Sequence, residues 1–201
     1  MIVSQFGVES WMDQYEEGAK YNITDTCAKP LSLAELFSLA GEDRTDFMDR
    51  FFEREQTYGT IFGSEKVKKE ISRLYTSIRP EEILTEHGAT GGNQHIFFSL
   101  IRPGDRVIAF SPSYQQFYSA PEALGAEVTV LRLRRENGYL PDLDELSQAA
   151  ARGVRMICLN NPNNPTGTLI PSDMMKDIVT IARQSGAYLF CDEVYLSLIH
   201  I

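Results

Sequence analysis

Asp192 closes an apolar run, Tyr188-Leu189-Phe190-Cys191, and is followed by Glu193-Val194-Tyr195. A carboxylate at the end of a buried strand is costly unless it meets a cation or takes up hydrogen bonds. Asp192 therefore reads as a counter-ion for a cationic ligand atom, or as a cap for the turn that follows. Asn160-Asn161-Pro162-Asn163-Asn164-Pro165-Thr166-Gly167 stands after another apolar run. Four asparagines among two prolines make a stiff loop rich in amide side chains, although Asn, Pro and Gly also suit a plain connector. His87-Gly88-Ala89-Thr90-Gly91-Gly92-Asn93 lies before a helical stretch. Small residues there let the backbone approach an anion, and a helix start offers free N–H groups and a favourable dipole. The same glycines would equally suit a strand-to-helix turn. Ser111-Pro112-Ser113-Tyr114 sets an aromatic ring after a third apolar run, where it could stack on a flat ligand. Tyr58 and Gly63 precede a long helical pattern, and each alone fits packing as well as ligand contact.

The elements that must position these residues alternate. Short runs rich in β-branched and aromatic residues predict strands over 83–85, 106–110, 127–131, 155–159 and 187–191. Helical spacing predicts helices over 93–101, 115–124, 142–151 and 172–184. This alternation is the pattern of a parallel sheet covered on both faces, and such sheets bind ligands at the carboxyl ends of their strands. Upstream, Ser32 and Glu35 have the spacing of a capping box. A helix is expected over 45–54. Another should start at the N-cap Ser64, carry Val67, Ile71, Leu74, Tyr75 and Ile78 on one face, and end at Pro80. The residues before Leu39 have a mixed pattern, as in an arm or a piece of a smaller domain.

Composition removes other classes. Of 201 residues, 43% are hydrophobic, enough for a packed core. The net charge of −9 opposes binding to a phosphate backbone, so no nucleic-acid partner is expected. No apolar run approaches a membrane span, and the start lacks the pattern of a signal peptide. Cys27, Cys158 and Cys191 form no CxxC pair, and the last two sit in apolar runs as expected of buried free thiols. A soluble, cytoplasmic protein is the expectation.

Taken in order, Tyr58-x4-Gly63, GATGG, RPGDRV, SPSY, NNPNNPTG and CDEVY resemble the fold-type-I pyridoxal-phosphate-dependent aminotransferases of class I/II, related to aspartate aminotransferase. The likeness runs from about Tyr58 to Tyr195. It implies a three-layer α/β/α fold with a mostly parallel sheet and pyridoxal 5′-phosphate as cofactor. By the resemblance, Ala89 and Thr90 would hold the cofactor phosphate and Tyr114 would stack on its ring. Asn164 and Tyr195 would bond the ring's phenolic oxygen, and Asp192 would pair with the pyridine nitrogen. Tyr58 would reach the phosphate of a neighbouring subunit in a homodimer. Thr26 stands in a stretch loosely similar to the family's substrate loop, where a glycine is usual. With the Glu9-Ser10-Trp11-Met12 start, that stretch also resembles capreomycidine synthase-like members.

The resemblance implies amino-group transfer between an amino acid and a 2-oxo acid. A lyase, decarboxylase or cyclase acting on an amino acid shares every motif above. A non-catalytic ligand-binding module is the alternative from another class. The family's Schiff-base lysine follows the Asp of DEVY by a few tens of residues, and none of Lys20, Lys29, Lys66, Lys68, Lys69 and Lys176 matches it. The chain is therefore expected to be the N-terminal part of such an enzyme and inactive alone. Residues 1–44 would form an arm and part of a small domain, and 45–201 a truncated cofactor-binding large domain.

Overall fold

The computed structural model describes residues 2–24, 26–27 and 29–196. The chain forms two compact units, one made of residues 1–23 with 86–201 and the other of residues 24–85. The boundary at 44/45 drawn from sequence falls inside the second unit.

The first unit is built on four parallel strands, β1 (Arg106–Ser111), β2 (Glu127–Arg132), β3 (Met156–Asn160) and β4 (Tyr188–Asp192), in the order β2-β1-β3-β4. Each lies within about a residue of its predicted bounds. Every pairing is parallel, with Ile108 opposite Thr129 and Ile157, and Asn160 opposite Asp192. Parallel neighbours need a crossover, and the segments between strands supply one each time: α6 (Gln116–Ala123), α7 (Leu143–Ala150) and α8 (Ser172–Ser185). Helix α5 (Ala89–Leu100) precedes β1. Asp142 caps α7 by accepting from the amides of Asp144 and Glu145, both at 3.0 Å.

The central strands β1 and β3 are apolar on both sides because both sides are covered. Ile108, Phe110, Ile157 and Leu159 pack with Leu146 and Ala150 of α7 and Ile178 and Ala182 of α8. The alternate residues Val107, Ala109, Met156 and Cys158 pack with Phe97 of α5 and Phe117 of α6. Side chains in a strand alternate between faces, so one continuous apolar run serves two cores. Phe97 and Phe117 are fully buried, each contributing on the order of 1.5–3 kcal/mol. The sequence order reverses between β1 and β3, which makes their carboxyl ends the topological switch point where open α/β sheets bind ligands.

An additional helix, α1 (Gly7–Tyr15), is tied to the sheet. Gln115 accepts from the Gly7 amide at 3.1 Å and donates to the Gln5 carbonyl at 2.9 Å. Phe6 meets the Tyr114 ring edge-on at 5.9 Å. No helix was expected here, although Val8, Trp11, Met12 and Tyr15 recur at helical spacing. Phe6 at its N-cap makes no side-chain cap bond, and Val8, Trp11 and Tyr15 are exposed.

The second unit holds α2 (Leu33–Ala40), α3 (Arg44–Phe52) and α4 (Glu65–Ser72). The predicted capping box is present: the Ser32 hydroxyl accepts from the Glu35 amide, and Glu35 accepts from the Ser32 amide at 2.8 Å. Asp43 caps α3 through the Thr45 and Asp46 amides. Two expectations fail here. Helix α4 stops at Ser72 instead of running to Ile78, because the amides of Arg73, Leu74 and Tyr75 bond carbonyls three residues back and tighten the last turn. Ser64 occupies its N-cap without a side-chain bond. Residues 83–85 are not a strand: they follow a 3₁₀ turn at Pro80–Glu82, the Ile83 amide bonds Pro80, and Leu84 is exposed. Gly63, at φ +89°, has Thr85 so close that a Cβ would lie 2.2 Å from its hydroxyl oxygen. No helix among the described residues is long and apolar enough to cross a membrane.

Candidate active site

The sheet brings the chemistry-bearing residues to one cleft. Ala89, Thr90, Tyr114, Asn160, Asn164, Asp192, Val194 and Tyr195 line a cavity of about 150 Å³. They come from the start of α5, the loop after β1, the loop after β3 and the end of β4. A cavity of this size admits a six-membered ring. A larger groove, of about 810 Å³, lies past β2 with Arg132, Arg134 and Arg135 along it. Its arginines are exposed or, for Arg134, paired to Glu145 at 2.6 Å, and no strand-end carboxylate enters it. The convergent chemistry is in the smaller cleft.

At one end of the cleft is the start of α5. The helix opens at Ala89, four residues before the predicted start, so Gly91 and Gly92 lie in its first turn. Gly88 has φ +77°, a left-handed conformation that favours glycine, and turns the chain into the helix. The first bond within the helix runs from the Gly92 amide to Gly88. The amides of Ala89 and Thr90 stand ahead of it at the positive end of the dipole. The Thr90 hydroxyl and the Tyr114 hydroxyl are 3.3 Å apart. Glu86, just upstream, is directed elsewhere. It accepts from the His87 amide at 2.8 Å and pairs with His95 at 2.6 Å, and these bonds hold its carboxyl below the usual carboxylate range.

Asp192, at the end of β4, also lines the cleft and is 8% exposed. Its two oxygens accept from Asn93 Nδ2 at 2.8 Å and from the Val194 amide at 3.0 Å. Its backbone carbonyl accepts from Asn160 Nδ2 and the Asn161 amide. Of the two readings drawn from sequence the cap is present, with Asp192 closing the turn into Val194, and the residue also lines the cleft. Beside it, burial first, and then the charges of Glu193 and Asp192, push the Cys191 thiol up to about 12.

The four asparagines separate by task. Asn160 is buried, donates to Asp192 and accepts from the Asn164 amide at 2.6 Å. Asn161 accepts from the Ile170 amide, and Asn163 donates to the Pro112 carbonyl and the Thr166 hydroxyl. Asn160, Asn161 and Asn163 brace the loop, and Asn160 and Asn164 line the cleft. The peptide bonds before Pro112, Pro162 and Pro165 are cis.

Six residues singled out from sequence therefore meet: Ala89, Thr90, Tyr114, Asn164, Asp192 and Tyr195. Tyr58 and Thr26 do not line this cleft; both belong to the 24–85 unit, and both are exposed. No lysine lines it. Sequence reasoning missed Asn93, Gln116 and Asn160 as site components. Asn93 had been placed at the end of a glycine turn, and its contact to Asp192 spans 99 residues.

The sequence model for aminotransferase class I and II matches residues 48–200, and the chain belongs to that family. An aspartate aminotransferase of Sulfurisphaera tokodaii is 30% identical over 140 residues, which are 69% of this chain and 35% of that protein. An LL-diaminopimelate aminotransferase of Syntrophobacter fumaroxidans is 34% identical over 114 residues, 57% of this chain and 29% of that protein. A PLP-dependent aminotransferase from Streptococcus suis 89-1591 shares the structure with a TM-score of 0.93 and 44% identity, over 96% of this chain and 52% of that one. The PLP-dependent cyclase OrfR shares the fold at a TM-score of 0.82 and 22% identity, over 95% of this chain and 49% of that one. The chain thus spans about a third of the length of the curated relatives it matches.

Proposed function

We propose that the protein containing this chain is a pyridoxal-phosphate-dependent aminotransferase that moves an amino group between an amino acid and a 2-oxo acid. The observation that carries this reading is the meeting of six residues from four segments in one cleft. Their chemistry fits the cofactor end to end: amide donors and a hydroxyl for a phosphate, a flat ring, amide and phenol donors, and a carboxylate. Pyridoxal phosphate supplies a protonated pyridine that draws electrons from the substrate's α-carbon.

The chain's own residues have these roles. Ala89 and Thr90 donate to the phosphate from the helix start. Tyr114 stacks on the ring and fixes its plane. Asn164 and Tyr195 donate to the phenolic oxygen and favour its anion. Asp192 sits at the pyridine nitrogen and favours its protonated form, as a carboxylate does for a nearby cationic acid. Tyr58 contributes to the phosphate site of a partner copy in a homodimer, and Thr26 lies on the substrate side. The enzyme works in the cytoplasm, with residues 45–201 belonging to its large domain and 1–44 to its arm and small domain.

The test uses the full-length protein with pyridoxal phosphate and a panel of amino acids and 2-oxo acids. Stoichiometric formation of a new amino acid and a new 2-oxo acid is expected. Asp192→Ala should lower that turnover by about 100-fold or more, as loss of one preorganised electrostatic group does. Near-normal turnover by Asp192→Ala would remove it from the mechanism. Release of ammonia or carbon dioxide without amino transfer would assign the site to a lyase or decarboxylase, and an intramolecular ring closure to a cyclase.

A further inference from the structure

Beneath the cleft runs a buried line of amides that the proposed roles leave without a task. Asn93, on α5, is 6% exposed, and Gln116, on α6, is 2% exposed. Asn93 Nδ2 donates to Asp192 at 2.8 Å and to Gln116 Oε1 at 3.1 Å. Gln116 Nε2 in turn donates to the Thr90 carbonyl at 2.9 Å. The line joins Thr90, where the phosphate would bind, to Asp192, where the pyridine nitrogen would lie. Asn93 itself does not line the cleft.

We infer that Asn93 is a positioning residue that holds Asp192 as an oriented, uncompensated anion for a cationic ring nitrogen. This rests on the proposed cofactor reading and deepens it. Only the amide nitrogen of Asn93 can donate to a carboxylate, and its two protons are directed to Asp192 and Gln116, so the amide cannot rotate without losing both bonds. That fixes the plane of the carboxylate. A neutral amide donor fixes the carboxylate by a hydrogen bond but brings no positive charge. An arginine or lysine in the same place would neutralise Asp192 and compete with the ligand. Among the described residues no cationic side chain forms an ion pair with Asp192. An amide also does not exchange a proton with the carboxylate over the ordinary pH range.

The test uses the full-length protein and two probes, pyridoxamine 5′-phosphate and inorganic phosphate. Pyridoxamine phosphate carries the ring and phosphate but no carbonyl, so it needs no lysine. Binding is measured calorimetrically for the unaltered protein, Asn93→Leu and Asp192→Ala, and the ring's absorbance is followed against pH. In Asn93→Leu, affinity for pyridoxamine phosphate should fall about 10- to 100-fold, the range for a hydrogen bond to a charged group. The bound ring nitrogen should lose its proton at lower pH than in the unaltered protein. Phosphate binding should stay within about twofold, a split that simple damage to the fold would not give. Unchanged pyridoxamine phosphate affinity in Asn93→Leu, or a parallel loss for both probes, overturns the inference. If Asp192→Ala weakens binding while Asn93→Leu does not, only the role of Asn93 fails. If Asp192→Ala is also without effect, or the unaltered protein binds no pyridoxamine phosphate, the cofactor reading fails with it. Should Asn93→Leu not fold, the side-chain amide protons of Asn93 are read by ¹⁵N NMR in the unaltered protein. They should shift on adding pyridoxamine phosphate and not on adding phosphate, and equal response to both overturns the inference.

Discussion

Gln115→Ala should release the N-terminal segment while leaving the sheet intact. Gln115 makes two bonds to it, accepting from Gly7 at 3.1 Å and donating to Gln5 at 2.9 Å. Both have ordinary geometry and lie at the surface. Each is worth about 0.5–1 kcal/mol net, so the pair contributes about 1–2 kcal/mol to holding the segment down. At 1.4 kcal/mol per factor of ten, that is a rise of about 5- to 30-fold in the population of the released form. Phe6 would leave with the segment and withdraw its edge from the Tyr114 ring. Amide hydrogen exchange with peptide mass readout is the assay, since local opening sets exchange where it precedes global unfolding. Peptides covering residues 5–15 should exchange faster by that factor, and peptides from β1 and β3 at their former rate. An unchanged rate over 5–15 would show that the two bonds hold nothing. A uniform rise across the sheet would show that Gln115 serves the core and not the segment.

Three further outcomes follow from packing and charge. Cys27 should react with a disulfide reagent near neutral pH, because it is exposed, while Cys158 and Cys191 should be slow. Cys191, held protonated by burial and by its acidic neighbours, should react faster as pH climbs toward 12, and rapid labelling of it near neutral pH would contradict its placement. Because its folded value lies above the ordinary 9.0, its contribution to stability is full below that pH and is lost as pH rises toward 12, which a urea titration series would show. Gly63→Ala should destabilise the 24–85 unit by at least about 1–2 kcal/mol, the cost of a left-handed conformation for a residue with a Cβ, with the clash at Thr85 added. Limited proteolysis should then cut that unit faster, and unchanged cleavage would contradict the turn. Phe117→Ala should cost about 3–5 kcal/mol by emptying a site between Tyr114 and Phe190, measured by urea denaturation; a loss under about 1 kcal/mol would contradict its burial.

The sheet was legible in the sequence because β1 and β3 are buried on both faces, which leaves a continuous apolar run bounded by turns. The motifs at the strand ends were legible for the same reason: once the strands are placed, their carboxyl ends share one edge. Helix α1 was not: Val8, Trp11, Met12 and Tyr15 have helical spacing, but no capping side chain marks its start, and its hold on the sheet comes through Gln115 and Phe6. The overrun of α4 has a different cause. Leu74 and Ile78 continue the helical spacing, but both are exposed, so no packing carried the helix past Ser72. Within the site, composition could not tell Asn164 from Asn160, Asn161 and Asn163. They differ only in which backbone groups the loop offers each one. Asn93 and Gln116 were invisible because each stands near a helix start with no charge or motif to mark it, and only the fold sets Asn93 beside Asp192, 99 residues away in sequence.

The central claim is that the cleft at the ends of β1, β3 and β4 binds a phosphorylated pyridine. The most direct measurement is an amide ¹H–¹⁵N NMR titration of the chain with pyridoxamine 5′-phosphate. Saturable shifts should fall at Ala89 and Thr90, at Tyr114, at Asn164 and at Asp192 to Tyr195, and Asp192→Ala should weaken them while phosphate alone still moves Ala89 and Thr90. Shifts confined to Arg132, Arg134 and Arg135, or no saturable shift at the cleft, would contradict the account.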